Sequence, residues 1–87
     1  MITTSRYPSA KTRELAKRIA GKLRTFYVAR GKKTIDDIAG HARKKGESEI
    51  IVIEEKDGIP EFASAIEVSE TGKWKWARRT PVSEYAV

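Results

Sequence analysis

Cysteine is absent from the 87-residue sequence, and histidine occurs once, as His41. The lack of cysteine excludes disulfide frameworks, thiolate metal sites and cysteine nucleophiles. Because His41 has no second ligand at metal-binding spacing, we predict no metal site and expect a surface histidine. The longest aliphatic run, Ile50–Ile53, is too short to span a membrane, and the N-terminus lacks the apolar segment of a signal peptide. We therefore expect a soluble, cytoplasmic protein.

Groups arranged for catalysis are also scarce. Asp36 and Asp37 form a pair of carboxylates, but adjacent helical residues point apart, and a role in capping the helix accounts for them. The segment Gly31-Lys32-Lys33 lacks the upstream glycine of a phosphate-binding loop. We predict that the protein is not an enzyme, needs no cofactor and has no small-molecule substrate.

Positive charge is concentrated in the first half of the chain. Residues 1–46 contain thirteen basic and three acidic residues, a net charge of +10. Residues 47–70 contain one basic and eight acidic residues, a net charge of −7, and residues 71–87 contain four basic and one acidic, a net charge of +3. Blocks of this kind indicate a basic face and a separate acidic one, which is typical of nucleic-acid binders.

Hydrophobic periodicity predicts two helices and five strands. The helices cover residues 10–23 and 34–45, and the strands cover residues 2–5, 25–29, 49–54, 61–68 and 73–77. The order β-α-β-α-β-β-β predicts a small α/β fold, in which crossovers join the first three strands in parallel and hairpins complete a mixed sheet. We expect one domain over residues 1–77 and a tail over residues 78–87 that lies across the surface or is loose.

Three local signals support this assignment. Ser9 is placed to cap the first helix, and Thr34 and Asp37 have the spacing of a capping box at the start of the second. The four consecutive aliphatic residues Ile50–Ile53 indicate a strand that is buried on both faces.

Three blocks of the sequence resemble archaeal Brix-domain proteins. The first is Ile-Thr-Thr-Ser-Arg-Tyr-Pro-Ser at residues 2–9, followed by Thr12-Arg13. The second is Tyr-Val-Ala-Arg-Gly-Lys at residues 27–32 with the Ile-Asp-Asp-Ile helix, and the third is the aliphatic strand at residues 50–53 followed by Glu-Lys-Asp-Gly-Ile-Pro. The resemblance implies a ribosome-biogenesis protein of the Brix/Imp type, a family associated with ribosomal RNA processing.

The resemblance spans residues 2–68 and corresponds to the first half of a Brix domain. The family fold consists of two similar halves, each resembling the anticodon-binding domain of some aminoacyl-tRNA synthetases. The second half has no counterpart in this sequence. One hypothesis is therefore a homodimer, in which a second copy takes the place of that half.

The leading candidate site is a set of basic residues in two turns. In a parallel arrangement, the turns after the first two strands lie at the same edge of the sheet, where open α/β sheets bind ligands. Arginine suits bidentate phosphate contacts and lysine acts as a point charge, while Tyr7 and Tyr27 offer surfaces for unpaired bases. The alternative is that Tyr27 is a core residue and the turns are merely solvated. The predicted RNA-binding residues are Arg6, Lys11, Arg13, Arg30, Lys32 and Lys33.

A second candidate lies near the C-terminus. In the segment Lys73–Trp76, strand alternation places Trp74 and Trp76 on one face, with Arg78 and Arg79 following as further RNA-binding candidates. The indoles can stack on bases, but tryptophans at this spacing are more often packing residues or part of a dimer interface. We favour packing or an interface for the tryptophans.

These observations predict a non-catalytic RNA-binding protein in ribosome biogenesis, whose partner is ribosomal RNA or a pre-ribosomal particle. The alternative is a protein-interaction or homodimerisation module that uses the strand containing Trp74 and Trp76. Nonspecific DNA binding is a third interpretation, because basic charge alone does not distinguish the two polymers.

Overall fold

The fold is a four-stranded mixed sheet with two helices, seen in a computed structural model that describes residues 1–85. The strand order is β1-β2-β3-β4, with β1 parallel to β2 and the other neighbours antiparallel. The predicted α/β class, with two helices on a small mixed sheet, is confirmed. The elements are β1 (Ile2–Thr4), α1 (Ala10–Leu23), α2 (Ile35–Lys44), β2 (Glu49–Lys56), β3 (Ile59–Val68), β4 (Trp74–Pro81) and a 3-10 turn (Val82–Tyr85).

Strand β2 organises the core because both of its faces are buried. Ile50 and Val52 belong to a cluster that α2 covers, whereas Ile51 and Ile53 belong to a second cluster that α1 covers. This is the double burial that the aliphatic run predicts. Each fully buried aliphatic side chain of this kind contributes about 1.5–3 kcal/mol to stability.

Both predicted helix caps are present. The Ser9 side chain accepts a hydrogen bond from the backbone N–H of Thr12, 3.3 Å away. At α2, the Asp37 N–H donates to the Thr34 hydroxyl oxygen at 3.1 Å, and the Thr34 N–H donates to the Asp37 carboxylate at 3.0 Å. Hydrogen bonds from Thr34 to the Asp37 carboxylate lower the pKa of Asp37, and the backbone bond is the largest cause. The caps fix where each helix begins and therefore where the preceding loops lie.

The strand predicted over residues 25–29 is reduced to a single bridge. Tyr27 pairs in parallel with Ile2, supported by hydrogen bonds from Ile2 N–H to the Phe26 carbonyl and from Val28 N–H to the Ile2 carbonyl. Beyond this bridge, side chains donate to the backbone carbonyls: the Thr3 hydroxyl donates to the Val28 carbonyl oxygen at 2.7 Å, and Arg30 Nη1 donates to the Thr4 carbonyl oxygen at 3.0 Å. The segment still runs beside β1 in the predicted direction, so the two chain segments leave the sheet at the same edge.

The predicted start of the tail at residue 78 falls inside a strand. Strand β4 continues to Pro81 because β3 is ten residues long and provides pairing partners as far as Phe62. A proline is tolerated here since β4 is an edge strand. Val82 and Tyr85 then pack against the cluster that α1 covers. The last two residues of the predicted tail, Ala86 and Val87, lie outside the described residues.

Candidate nucleic-acid interface

A surface groove lies where β1 ends, between the loop that leads into α1 and the loop that leads into α2. Its volume is about 470 Å³. We call it the β1 groove. Its lining residues come from both loops and from the start of α1; they are Tyr7, Pro8, Arg13, Tyr27, Ala29, Arg30 and Gly31. The convergence of the two turns expected from the parallel arrangement is thus seen in the structure.

Arg30 joins the two sides of the β1 groove. The residue is only 8% exposed. The Nη1 atom donates to the Thr4 carbonyl oxygen at 3.0 Å, and Nε donates to the Lys33 carbonyl oxygen at 2.6 Å. Burial lowers the pKa of the Arg30 guanidinium, and the like charge of Arg6 lowers it further. Arg30 therefore links the two loops through its hydrogen bonds, and its guanidinium also places a positive charge at the wall of the groove.

Tyr7 stands at the mouth of the groove in an unusual backbone conformation. It is 72% exposed and has a φ of 53°, in the left-handed region that tyrosine rarely adopts. It also precedes Pro8, whose ring restricts the conformation of the residue before it. Strain of this kind persists only where the surrounding structure enforces it, and it occurs often at functional sites.

The loop that carries Tyr7 is fastened at its far end by Ser9. The Ser9 N–H donates to the Glu55 carboxylate at 3.0 Å, and the Ser9 hydroxyl donates to the Gly58 carbonyl oxygen at 2.7 Å. Glu55 also accepts a hydrogen bond from the Thr12 hydroxyl. The Thr12 bond is the largest cause that lowers the pKa of Glu55, followed by the Ser9 backbone bond.

Glu55 is a positioning residue that sequence reasoning missed. It lies near the end of β2, where nothing in its neighbours indicates a special role. Only the packing of α1 on the sheet brings its carboxylate to Ser9 and Thr12. The predicted topology gave no strand order, so it did not place the end of β2 beside the loop that follows β1.

The other predicted basic residues of the first half are all exposed. Arg13 lies at the groove, where its Nη1 atom donates to the Pro8 carbonyl oxygen at 3.2 Å. Lys33 donates from Nζ to the Ala29 carbonyl oxygen at 3.2 Å, and the charge of Arg6 acts on Arg30 and on Asp37. Lys11 and Lys32 are exposed on the first turn of α1 and in the loop before α2.

Arg78 and Arg79 are not part of this cluster. They lie on β4, three strand spacings from β1, or about 14 Å. Arg78 Nη1 lies 3.1 Å from a Glu49 carboxylate oxygen, and Arg79 Nε lies 3.2 Å from one of Glu54. Arg79 also lies over the Phe62 ring at 4.0 Å. A role for this pair in RNA binding stays a prediction, and it would require a second contact region.

The two tryptophans share a face of the sheet but differ in their surroundings. Their rings meet edge to face, with centroids 6.1 Å apart and an interplanar angle of 89°. Trp74 packs against the cluster covered by α2, and its Nε1 atom donates to the Asp36 carboxylate. Trp76 is 52% exposed and borders a second cavity of about 400 Å³ beside Ser64.

No group of three or more His, Cys, Asp or Glu side chains within residues 1–85 is placed to hold a metal ion. No helix in the same range is long and apolar enough to cross a membrane.

Comparisons with known proteins connect the chain to Brix-domain proteins. A probable Brix domain-containing ribosomal biogenesis protein from Archaeoglobus fulgidus is 37% identical over 70 residues, which is 80% of this chain and 42% of that protein. No family model matches.

Solved structures extend this similarity to the fold. An archaeal Imp4-like protein superposes with a TM-score of 0.69 at 30% identity, over 84% of this chain and 45% of its own. A probable ribosomal biogenesis protein from Aeropyrum pernix superposes with a TM-score of 0.82 at 25% identity, over 92% and 45% of the two chains.

The resemblance to Brix-domain proteins is therefore confirmed in both sequence and fold. The chain spans less than half the length of each of these relatives. The prediction that it corresponds to the first half of the domain, and the likeness to anticodon-binding domains, stay predictions.

Proposed function

We propose that this chain is a non-catalytic RNA-binding module in ribosome biogenesis, which binds the RNA backbone through a basic face centred on the β1 groove. In this proposal it acts in the cytoplasm on ribosomal RNA or a pre-ribosomal particle. The observation that carries the proposal is the meeting of Arg13 and Arg30, from separate sequence blocks, beside the exposed ring of Tyr7. The similarity to ribosomal biogenesis proteins supports the biological setting.

The charges around the groove suit a polyanion. Arg6 adds positive charge close enough to Arg30 to lower its pKa, and the residues that line the groove include no acidic side chain. Cationic side chains that contact phosphates release condensed counterions, so affinity falls steeply as salt rises. Recognition of this kind provides affinity and orientation but little sequence discrimination.

The test is direct binding to three nucleic acids of equal length, each titrated at two salt concentrations. They are a structured ribosomal RNA fragment, a single-stranded RNA and a duplex DNA. A preference for either RNA that survives at physiological salt supports the proposal. Equal, steeply salt-dependent binding to all three would reduce it to nonspecific binding by a basic surface, and no binding would refute it.

A second candidate function is a protein-interaction or homodimerisation module, which the exposed indole of Trp76 favours. Strand β4 is an edge strand, so one row of its backbone hydrogen-bonding groups is available to a partner strand. Light scattering over a concentration series distinguishes this candidate. A dimer that dissociates in Trp76→Ala supports it, whereas a monomer at all concentrations removes the homodimer.

A further inference from the structure

We propose that the β1 groove binds one unpaired nucleotide of an RNA strand, with its base stacked on Tyr7 and its phosphate held by Arg13 in front of the buried Arg30. This inference rests on the proposed function and narrows its ligand. It identifies single-stranded or bulged RNA, rather than a continuous duplex, as the preferred substrate class.

The position of Tyr7 is the first support. An exposed tyrosine gains little from packing, and its left-handed backbone before Pro8 is unfavourable, so the stability of the fold does not account for this residue. Proteins that bind single-stranded nucleic acids present exposed aromatic rings beside cationic groups, and the bases stack on these rings. In a continuous duplex the faces of the bases are covered by their neighbours, so only an unpaired base can lie flat on the ring.

The second aromatic ring at the groove has a different role. Lys17 Nζ lies 5.6 Å from the centroid of the Tyr27 ring, so one face of that ring contacts a cation. Tyr27 also packs against the core cluster covered by α1 and is half-buried. It therefore forms a wall of the groove, which leaves Tyr7 as the stacking platform.

The size and polarity of the groove fit a single nucleotide. Its volume of about 470 Å³ lies within the range of roughly 300–1,000 Å³ typical of small-molecule sites. Arg13 is oriented by its bond to the Pro8 carbonyl, and a guanidinium has five N–H donors, so further donors are available to a phosphate. Arg30 adds a fixed positive charge at the wall, where low solvent exposure strengthens its field.

The experiment compares two RNA duplexes, each formed from two separate strands, that differ only by one bulged nucleotide, together with a single-stranded RNA. We expect the wild-type protein to prefer the bulged and single-stranded molecules. Loss of one base–aromatic stack corresponds to a loss of affinity of roughly 5- to 150-fold. Tyr7→Ala should therefore lose the preference by a factor in this range, while its affinity for the fully paired duplex and the salt dependence of its binding stay unchanged.

Two variants serve as matched controls. Tyr7→Phe keeps the ring and should keep the preference. Phe26→Ala removes another exposed aromatic ring, one that lies near Lys45 and does not line the groove, and it should bind like the wild type. Thermal unfolding of each variant shows whether a lost preference accompanies a lost fold.

The outcomes separate this inference from the proposed function. If the wild type binds all the RNAs with equal affinity and Tyr7→Ala changes nothing, the nucleotide site is refuted while backbone binding stands. If the wild type binds no RNA, both are refuted. A loss of preference in Tyr7→Ala that Tyr7→Phe does not share supports the site.

Discussion

The Nη1 atom of Arg30 donates a hydrogen bond to the backbone carbonyl oxygen of Thr4 at 3.0 Å, with both residues buried. This bond joins the end of β1 to the loop that leads into α2, two segments that are 26 residues apart. A cationic residue is thus both a structural link and part of the wall of the β1 groove. Its two roles have different consequences when the residue is changed.

Removal of Arg30 should destabilise the fold. Arg30→Ala leaves the carbonyl oxygens of Thr4 and Lys33 without their donor, so we expect a decrease of about 1–3 kcal/mol in the free energy of unfolding. Arg30→Lys keeps the charge but cannot reproduce the two directed bonds, so it should recover only part of the loss. Urea denaturation measures both. Lys32→Ala, an exposed neighbour, is the control and should change stability by less than about 0.5 kcal/mol.

The carboxylate of Glu55 should make stability depend on pH in the acidic range. Its pKa is lower in the folded protein than its ordinary value of 4.5, with the Thr12 hydrogen bond as the main cause. The stabilisation that the ionised Glu55 carboxylate gives to the fold is therefore fully present above pH 4.5. It is lost as the pH falls through the pKa of Glu55 in the folded protein.

Unfolding free energies measured from pH 7 to pH 3 test this prediction. Glu55→Gln should be less stable than the wild type at neutral pH, and the difference should shrink towards pH 3. The exposed Glu61→Gln is the control and should follow the wild-type profile. A constant difference between Glu55→Gln and the wild type across this range would contradict the assignment.

The two tryptophans should differ sharply in their effect on stability. Trp74→Ala removes packing against the α2 cluster and the bond to Asp36, so we expect a loss of about 2 kcal/mol or more. Trp76→Ala removes a mainly exposed ring and should cost much less. Chemical denaturation of the two variants makes the comparison, and equal losses would mean that Trp76 is a packing residue as well.

The left-handed backbone of Tyr7 should lower the stability of the fold, while the ring of the same residue serves RNA binding. Asparagine tolerates the left-handed region better than tyrosine, so Tyr7→Asn should raise the free energy of unfolding by about 0.5–1 kcal/mol. The same variant lacks the ring and should lose the preference for unpaired RNA. Denaturation and RNA titration on one sample test this opposition between stability and binding. A variant that is less stable than the wild type would show that the φ of 53° carries no penalty.

Local features of the fold were predictable from the sequence because short-range chemistry determines them. The caps at Ser9 and Thr34 depend on residues within three positions, and the double burial of Ile50–Ile53 follows from an unbroken aliphatic run. The predicted strand over residues 25–29 was wrong in extent, because side chains of Thr3 and Arg30 donate to backbone carbonyls there in place of a longer ladder.

The site was predictable only in outline. Parallel topology correctly placed the two turns at one edge of the sheet. The burial of Arg30 was not foreseen, because it depends on the approach of the Thr4 carbonyl from a distant segment. The same holds for Glu55, whose role arises only when α1 packs on β2. The left-handed backbone of Tyr7 was also not predictable, because glycine, asparagine and aspartate are the residues that usually adopt this conformation.

The most direct test of RNA binding at the β1 groove is the salt dependence of affinity for a single-stranded RNA in three proteins. These are the wild type, Arg13→Ala and Lys44→Ala, where Lys44 is an exposed residue at the other end of α2. Both variants lose one positive charge, so long-range attraction changes equally. The slope of log affinity against log salt is negative, and we expect it to become less steep by about one unit in Arg13→Ala. In Lys44→Ala the slope should equal that of the wild type. Equal slopes in all three proteins would contradict a phosphate contact at the groove.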